Sequence, residues 1–440
     1  MPRLLAMLLV LSVSQVHAQS LQTAPPEQVG LSAERLGRIG KALQAEIDAK
    51  RIPGAVAVIA RKGRIAYFQA LGTRDPASGA PMTKDAIFRI YSMTKPFVAV
   101  AAMMLAEEGR IVLTDPVSKY LPAFSKMQVS VPRLDGSGRL TYETVPAQRE
   151  MTVLDLLRHT SGLAYGEITA NAPVKDAYLK AGVLHPDMPY EARGITAAEE
   201  VERLAKAPLA HQPGDIWEYS LSVDVLGRVV EAASGQRLSD FLEKRLFGPL
   251  KMTDAAFFVP RNKLSRLAQP FANDPATGAA NHIIDVTAEP KNDSGGAGSV
   301  TSAMDYLRFA EMLLNGGQLD GARLLSRTTV ALMTSDQLGK IKDAGVTPGE
   351  LLLGVKGYTF GLGFSVREQA GLAAVPGSAG EFMWAGAAGT FFWVDPKEQL
   401  VAVLMTQTPG PSRVYYRKFF KQLVYQAIDD DKAPVLSAQH

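Results

Sequence analysis

In Ser92-Met93-Thr94-Lys95-Pro96-Phe97-Val98-Ala99-Val100-Ala101-Ala102-Met103-Met104-Leu105, a serine and a lysine three positions apart open an almost wholly apolar segment. Residues three apart share a helix face, so a helix here sets the Lys95 amine beside the Ser92 hydroxyl. Proline fits a helix only in its first turn, and Pro96 therefore places the start close to Ser92. The positive end of a helix favours an alkoxide forming there. A serine hydroxyl is a poor nucleophile until a neighbour takes its proton, and an amine or a phenolate can do so. S-x-x-K arises by chance about once in a chain this long, so the weight falls on what surrounds it.

Upstream, Leu36, Ile39, Leu43 and Ile47 repeat at helical spacing behind Ser32, a natural N-cap. Two apolar runs follow, Ala55 to Ala60 and Ile65 to Ala70. They are joined through Arg61-Lys62-Gly63-Arg64 and predict a hairpin. Far downstream, Tyr358 to Val366, Gly389 to Val394 and Leu400 to Met405 are β-like, and a helix is expected from about Arg413 to Ile428. Between these ends the pattern is helical, as in Val153 to Arg158, Ala197 to Leu204 and Val223 to Ala233. The stretch Ser125 to Glu150 has no clear period and is expected to be a surface excursion. The expected fold is α/β (α+β): an antiparallel sheet built from both chain ends and flanked by helices, with an inserted, mostly helical lobe. The expected boundaries are 1–18 as a signal peptide, 19–87 plus 291–440 as the sheet domain, and 88–290 as the lobe.

The bulk numbers exclude several classes. Of 440 residues, 47% are hydrophobic and 21% charged, an ordinary globular balance. The formal charge of +3 comes without any long basic run, so nucleic-acid binding has no electrostatic footprint. Arg3, the run Leu4 to Leu11 and Val16-His17-Ala18 read as a secretory signal cleaved before Gln19, which predicts a periplasmic or secreted protein without a membrane anchor. With no cysteine, disulfides and thiol chemistry are excluded. The six histidines form no metal-binding cluster, and no cofactor or protein partner is called for.

Further blocks accompany the tetrad in order. Arg158-His159-Thr160-Ser161-Gly162-Leu163 follows one helix, and Tyr219-Ser220-Leu221 precedes another. Ser294-Gly295-Gly296-Ala297-Gly298 precedes a third, and Trp384-Ala385-Gly386-Ala387 comes just before the last strand pair. Together they resemble the class C branch of the serine β-lactamase and penicillin-binding-protein superfamily, and within it the family VIII carboxylesterases. The resemblance spans about Pro25 to Ile428. It implies that Ser92 is the nucleophile, that Lys95 orients it, and that Tyr219 acts as a phenolate general base. A tyrosine ordinarily titrates near pH ~10, so it needs the cationic charge of Lys95 to do this near neutrality. The resemblance also implies an oxyanion hole from the backbone N–H groups of Ser92 and Ala387, with Trp384, Gly386 and Leu221 contacting substrate.

Two departures from the lactamase pattern set the expected substrate. Leu221 stands where the Y-x-N element has Asn, and Trp384-Ala385-Gly386 replaces K-T-G. Loss of that lysine should weaken anionic substrates roughly 10- to 100-fold, while tryptophan supplies an apolar wall for neutral acyl chains. The esterase branch more often has Gly at the position of Ala385. The reading is therefore a serine carboxylesterase for short to medium acyl esters, small molecules bound without cofactor. A β-lactamase or D-alanyl peptide hydrolase is the alternative, and a non-catalytic binding protein on the same scaffold a third. His159 reads as a structural turn residue, since no G-x-S-x-G elbow accompanies it. Trp217 reads as core. The glycines at 295, 296 and 298 are expected to let a strand edge pass close to the site.

Overall fold

The computed structural model describes residues 21–185 and 192–429. The signal-peptide reading of residues 1–18 lies outside these. An N-terminal strand, β1 (Gln22–Thr23), leads into helix α1 (Ala33–Asp48) and the hairpin β2 (Gly54–Arg61) and β3 (Arg64–Asp75). Ser32 caps α1 by accepting from the Arg35 N–H at 3.3 Å, and Leu36, Ile39 and Leu43 form its buried stripe. Lys62 and Gly63 both have positive φ, 52° and 71°, as a two-residue turn matching the strand twist requires.

The rest of the main sheet comes from the other end of the chain. Its strands are β6 (Tyr358–Phe360), β7 (Ser365–Arg367), β8 (Phe382–Ala385), β9 (Phe391–Asp395) and β10 (Leu400–Met405), numbered after a separate hairpin of β4 (Gln128–Leu134) and β5 (Leu140–Pro146). The order is β1-β3-β2-β10-β9-β8-β7-β6, with β10 pairing β2 so that the two chain ends are stitched together. The sheet is not purely antiparallel, because β1 runs parallel to β3 at the edge. Every residue of β2, β9 and β10 is buried. Strands covered on both faces need no polar alternation, which is why they read as continuous apolar runs. α4 (Ala303–Leu314) packs on β2, β9 and β10, while α1 packs against the closing helix α5 (Arg413–Tyr425).

Two expectations are corrected here. The surface excursion at Ser125 to Glu150 is an ordered hairpin, β4–β5, paired without a break from Gln128–Pro146 to Leu134–Leu140. Much of it is exposed, so no hydrophobic alternation marks it. Its turn is set instead by Asp135, whose carboxylate accepts from the N–H groups of Ser137 at 2.9 Å and Arg139 at 3.0 Å. Tyr358 to Val366 is two strands rather than one, reversed at Gly363 with φ 90°. A side chain there would also meet the Ala99 Cβ at 2.6 Å.

Candidate active site

Ser92 lies in the 3-10 turn Tyr91–Thr94 that feeds directly into α2 (Lys95–Glu107), whose residues from Lys95 to Leu105 are all buried. The turn is pinned from outside. The Thr94 hydroxyl meets Ser299 Oγ at 2.7 Å, and Tyr306 donates its hydroxyl to the Met93 carbonyl at 3.0 Å. Tyr91 holds φ 44°, a costly backbone state immediately before the serine.

The structure brings Ser92, Lys95 and Tyr219 together. Ser92 Oγ is 2.6 Å from the Tyr219 hydroxyl and 3.3 Å from Lys95 Nζ. Lys95 also donates to the Tyr165 hydroxyl at 2.9 Å and the Gly296 carbonyl at 2.8 Å, and its ammonium sits 4.7 Å from the Tyr219 ring centroid. No carboxylate lies within ion-pair distance of Lys95 among the described residues, so its charge is solvated by dipoles and ring faces alone. Tyr165 was not anticipated, although it stands just beyond the H-T-S-G-L block. Burial, then the negative charges of Tyr219 and Asp224, push its hydroxyl well above the usual tyrosine range, so it stays a neutral phenol.

The flanking blocks are the seat of Tyr219. The His159 carbonyl accepts from the Glu218 N–H at 3.0 Å, and Gly162 accepts from the Ala210 N–H at 2.7 Å. Gly162 is at φ 85°, where a Cβ would strike the His211 carbonyl at 2.2 Å. His159 packs 5.0 Å from the Tyr219 ring and meets Ser220 Oγ at 3.1 Å through Nδ1. Burial, reinforced by the Lys95 charge, holds its imidazole neutral, with a pKa well below the ordinary histidine value. It supports the tyrosine and does not touch Ser92 Oγ. The glycine-rich block is corrected: it is a loop packed on α3 (Ser222–Ser234), not a passing strand edge. Asp224 of α3, another residue the sequence did not signal, accepts from Ser294 Oγ at 2.6 Å and the Gly296 N–H at 2.9 Å. That grip turns the Gly296 carbonyl onto Lys95.

Opposite, the end of β8 approaches the nucleophile. Gly386 has no room for a side chain, since a Cβ would lie 2.4 Å from the Ile90 carbonyl, and this close approach seats Ala387 in the same cleft as Ser92. The cleft, about 300 Å³, is walled by Tyr165, Ile168, Tyr219, Leu351, Trp384 and Gly386 among others. A family model described as beta-lactamase matches residues 39–426.

The chain belongs to the β-lactamase family. Protein Rv1367c of Mycobacterium tuberculosis (strain ATCC 25618 / H37Rv) is 34% identical over 365 residues, covering 82% of this chain and 87% of its own. Esterase EstB of Burkholderia gladioli is 33% identical over 408 residues, covering 87% and 93%. The solved structure titled "EstCE1, a hydrolase with promiscuous acyltransferase activity" is 28% identical, covers 89% of this chain and 99% of its own, and superposes with a TM-score of 0.71.

Of the three residues that the β-lactamase-family pattern marks for substrate contact, Trp384 and Gly386 line the cleft and Leu221 does not. Leu221 is buried in the core at the start of α3, because its apolar side chain turns away from the polar Lys95 pocket. Trp217 is core as expected, although it also borders a second hollow behind Tyr219. His282 is exposed and edges the cleft, while His211 is paired with Glu218 at 2.7 Å. Two cations that sequence reasoning missed, Arg413 and Arg417, also line it. Their signal was the i, i+4 spacing at the start of α5, which puts both on one helix face.

Proposed function

We propose that this chain is a serine carboxylesterase for short to medium acyl esters, working through an acyl-enzyme on Ser92. The observation that carries the reading is the 2.6 Å approach of the Tyr219 hydroxyl to Ser92 Oγ beside a lysine that has no acidic partner among the described residues. Tyr219, as phenolate, takes the Ser92 proton while Oγ attacks the ester carbonyl. The oxyanion is held by the backbone N–H groups of Ser92 and Ala387, each such donor being worth ~100- to 1000-fold in turnover. The carbonyl–alkoxide bond breaks, and the alcohol leaves with the proton from Tyr219. Water, deprotonated by Tyr219 in turn, resolves the acyl-enzyme; an alcohol in its place would give acyl transfer. The names of EstB and EstCE1 as an esterase and as a hydrolase with acyltransferase activity support the same chemistry. The apolar face of Trp384, where a lactamase has lysine, favours esters over lactams. We also propose export, on the sequence of residues 1–18.

The test is kcat/KM for p-nitrophenyl acetate and butyrate beside nitrocefin on one preparation. Esters should be preferred, Ser92→Ala should abolish turnover, and Tyr219→Phe should lower it by several orders of magnitude. A large lactam preference would replace this reading with the lactamase one, and wild-type-like turnover by Ser92→Ala would end both.

A further inference from the structure

The cleft holds cationic charge that the loss of the K-T-G lysine did not lead one to expect. Arg413 and Arg417 stand one turn apart at the start of α5, and both line the wall that includes Trp384, Gly386 and Ala387. Their surroundings differ. Arg417 is buried, and its two terminal nitrogens donate to the Leu352 carbonyl at 3.0 Å and the Gly386 carbonyl at 2.8 Å. These bonds make Arg417 a positioning residue that ties α5 to the end of β8. Arg413 is half-buried and donates from Nη1 to the Gly410 carbonyl at 2.6 Å. No carboxylate lies within ion-pair distance of it among the described residues. Glu167, the acid on the cleft wall, is not among the groups that act on it; Tyr219 is.

A guanidinium withdrawn from water is normally compensated by an acid. Arg413 is withdrawn without one: burial lowers its pKa below the usual arginine value, and only the Tyr219 charge opposes this. It is also held in place, because α5 is anchored by Lys421 to the buried Glu381 carboxylate at 2.7 Å. A half-buried fork of N–H donors facing a substrate cleft matches a planar carboxylate, which it can take in two parallel bonds.

We propose that Arg413 is an anion-recognition residue, and that the ester this enzyme takes carries a carboxylate on the part that lies toward α5. The proposal rests on the esterase reading above. It also runs against the expectation that the cleft disfavours anions, since on this reading the charge has moved from the strand to the helix. One cation with apolar neighbours such as Leu351 and Leu352 suits a single negative charge.

Two matched substrate pairs test this, one for each side of the ester bond. In mono-4-nitrophenyl glutarate against 4-nitrophenyl valerate the charge is on the acyl part. In 4-acetoxyphenylacetate against its methyl ester it is on the alcohol part. The readout is the charged-to-neutral ratio of kcat/KM within one preparation, which does not depend on the folded fraction. Arg413→Gln should lower that ratio roughly 10- to 100-fold in the pair whose carboxylate faces α5, and Arg413→Lys should restore part of it. Should neither variant fold, wild-type inhibition decides: hexanoate should compete more strongly than hexanamide, and equal inhibition would overturn the proposal. Ratios unmoved by Arg413→Gln in both pairs would overturn the anion subsite while leaving the esterase intact. A wild type that hydrolyses none of the four esters would instead overturn the esterase reading itself.

Discussion

Among the described residues two lysines are buried, and they are buried differently. Lys421 donates to the Glu381 carboxylate at 2.7 Å, within a cluster that includes Arg367, Tyr358 and Tyr425 around the same acid. Its ammonium lies 4.5 Å from the Trp393 ring and 4.7 Å from that of Tyr425. Lys95 has the same kind of aromatic cover, from Tyr219 and Tyr165, but its hydrogen bonds go to two hydroxyls and one carbonyl. One charge is cancelled and holds α5 to the sheet. The other is left uncancelled beside a nucleophile. The difference teaches that what separates a structural from a chemical lysine here is the partner, since burial and aromatic contact are common to both.

The sharpest way to break this contrast is to remove each ammonium. Lys95→Met should lower kcat/KM by about 100- to 10,000-fold, as expected for a group that serves proton transfer, with little change in the urea midpoint. Comparable loss of unfolding free energy in both variants would erase the distinction. Lys421→Met should do the reverse, destabilising the fold by about 1.5–3 kcal/mol because Glu381 loses a buried charge-assisted hydrogen bond and keeps Arg367 as its ion partner, while ester turnover by the folded fraction stays within tenfold. Equilibrium denaturation and active-site-titrated turnover measure both.

A third buried charge extends the comparison. Among the described residues Glu311 of α4 has neither an ion partner nor a side-chain hydrogen bond, and burial pushes its carboxyl up to about 7. The folded state therefore binds its proton more tightly than the unfolded chain. Its contribution is favourable below the unfolded value of 4.5, is lost as pH rises to about 7, and is flat above. Glu311→Gln should raise stability at pH 8 by about 3 kcal/mol and flatten the profile between these limits. An unchanged pH profile would show that the carboxyl has an ionic partner after all. The smallest effect is expected at His159, which supports Tyr219 without touching Ser92: His159→Gln should cost less than about tenfold in kcat, in keeping with packing support and not proton transfer.

The sheet was legible because its central strands are covered on both faces, and α1 because its stripe and Ser32 cap are local features. The β4–β5 hairpin was not, since an exposed ribbon held by backbone pairing and an Asp135 turn leaves no hydrophobic period. At the site, Ser92 and Lys95 are coupled through helix geometry and could be paired from spacing alone. Tyr219 could be attached to them only through resemblance, 127 residues away in the chain. Tyr165, Asp224 and Arg413 were hidden because each acts through a contact made in three dimensions, with a lysine, a glycine loop and a cleft wall.

Labelling of the intact protein with a fluorophosphonate, followed by peptide mass mapping, tests the central claim most directly. The predicted result is a single adduct on the peptide carrying Ser92, formed at the wild-type rate in Lys421→Met and slowed at least about 100-fold in Lys95→Met. An adduct on another residue, or equal labelling rates in the two lysine variants, would contradict it.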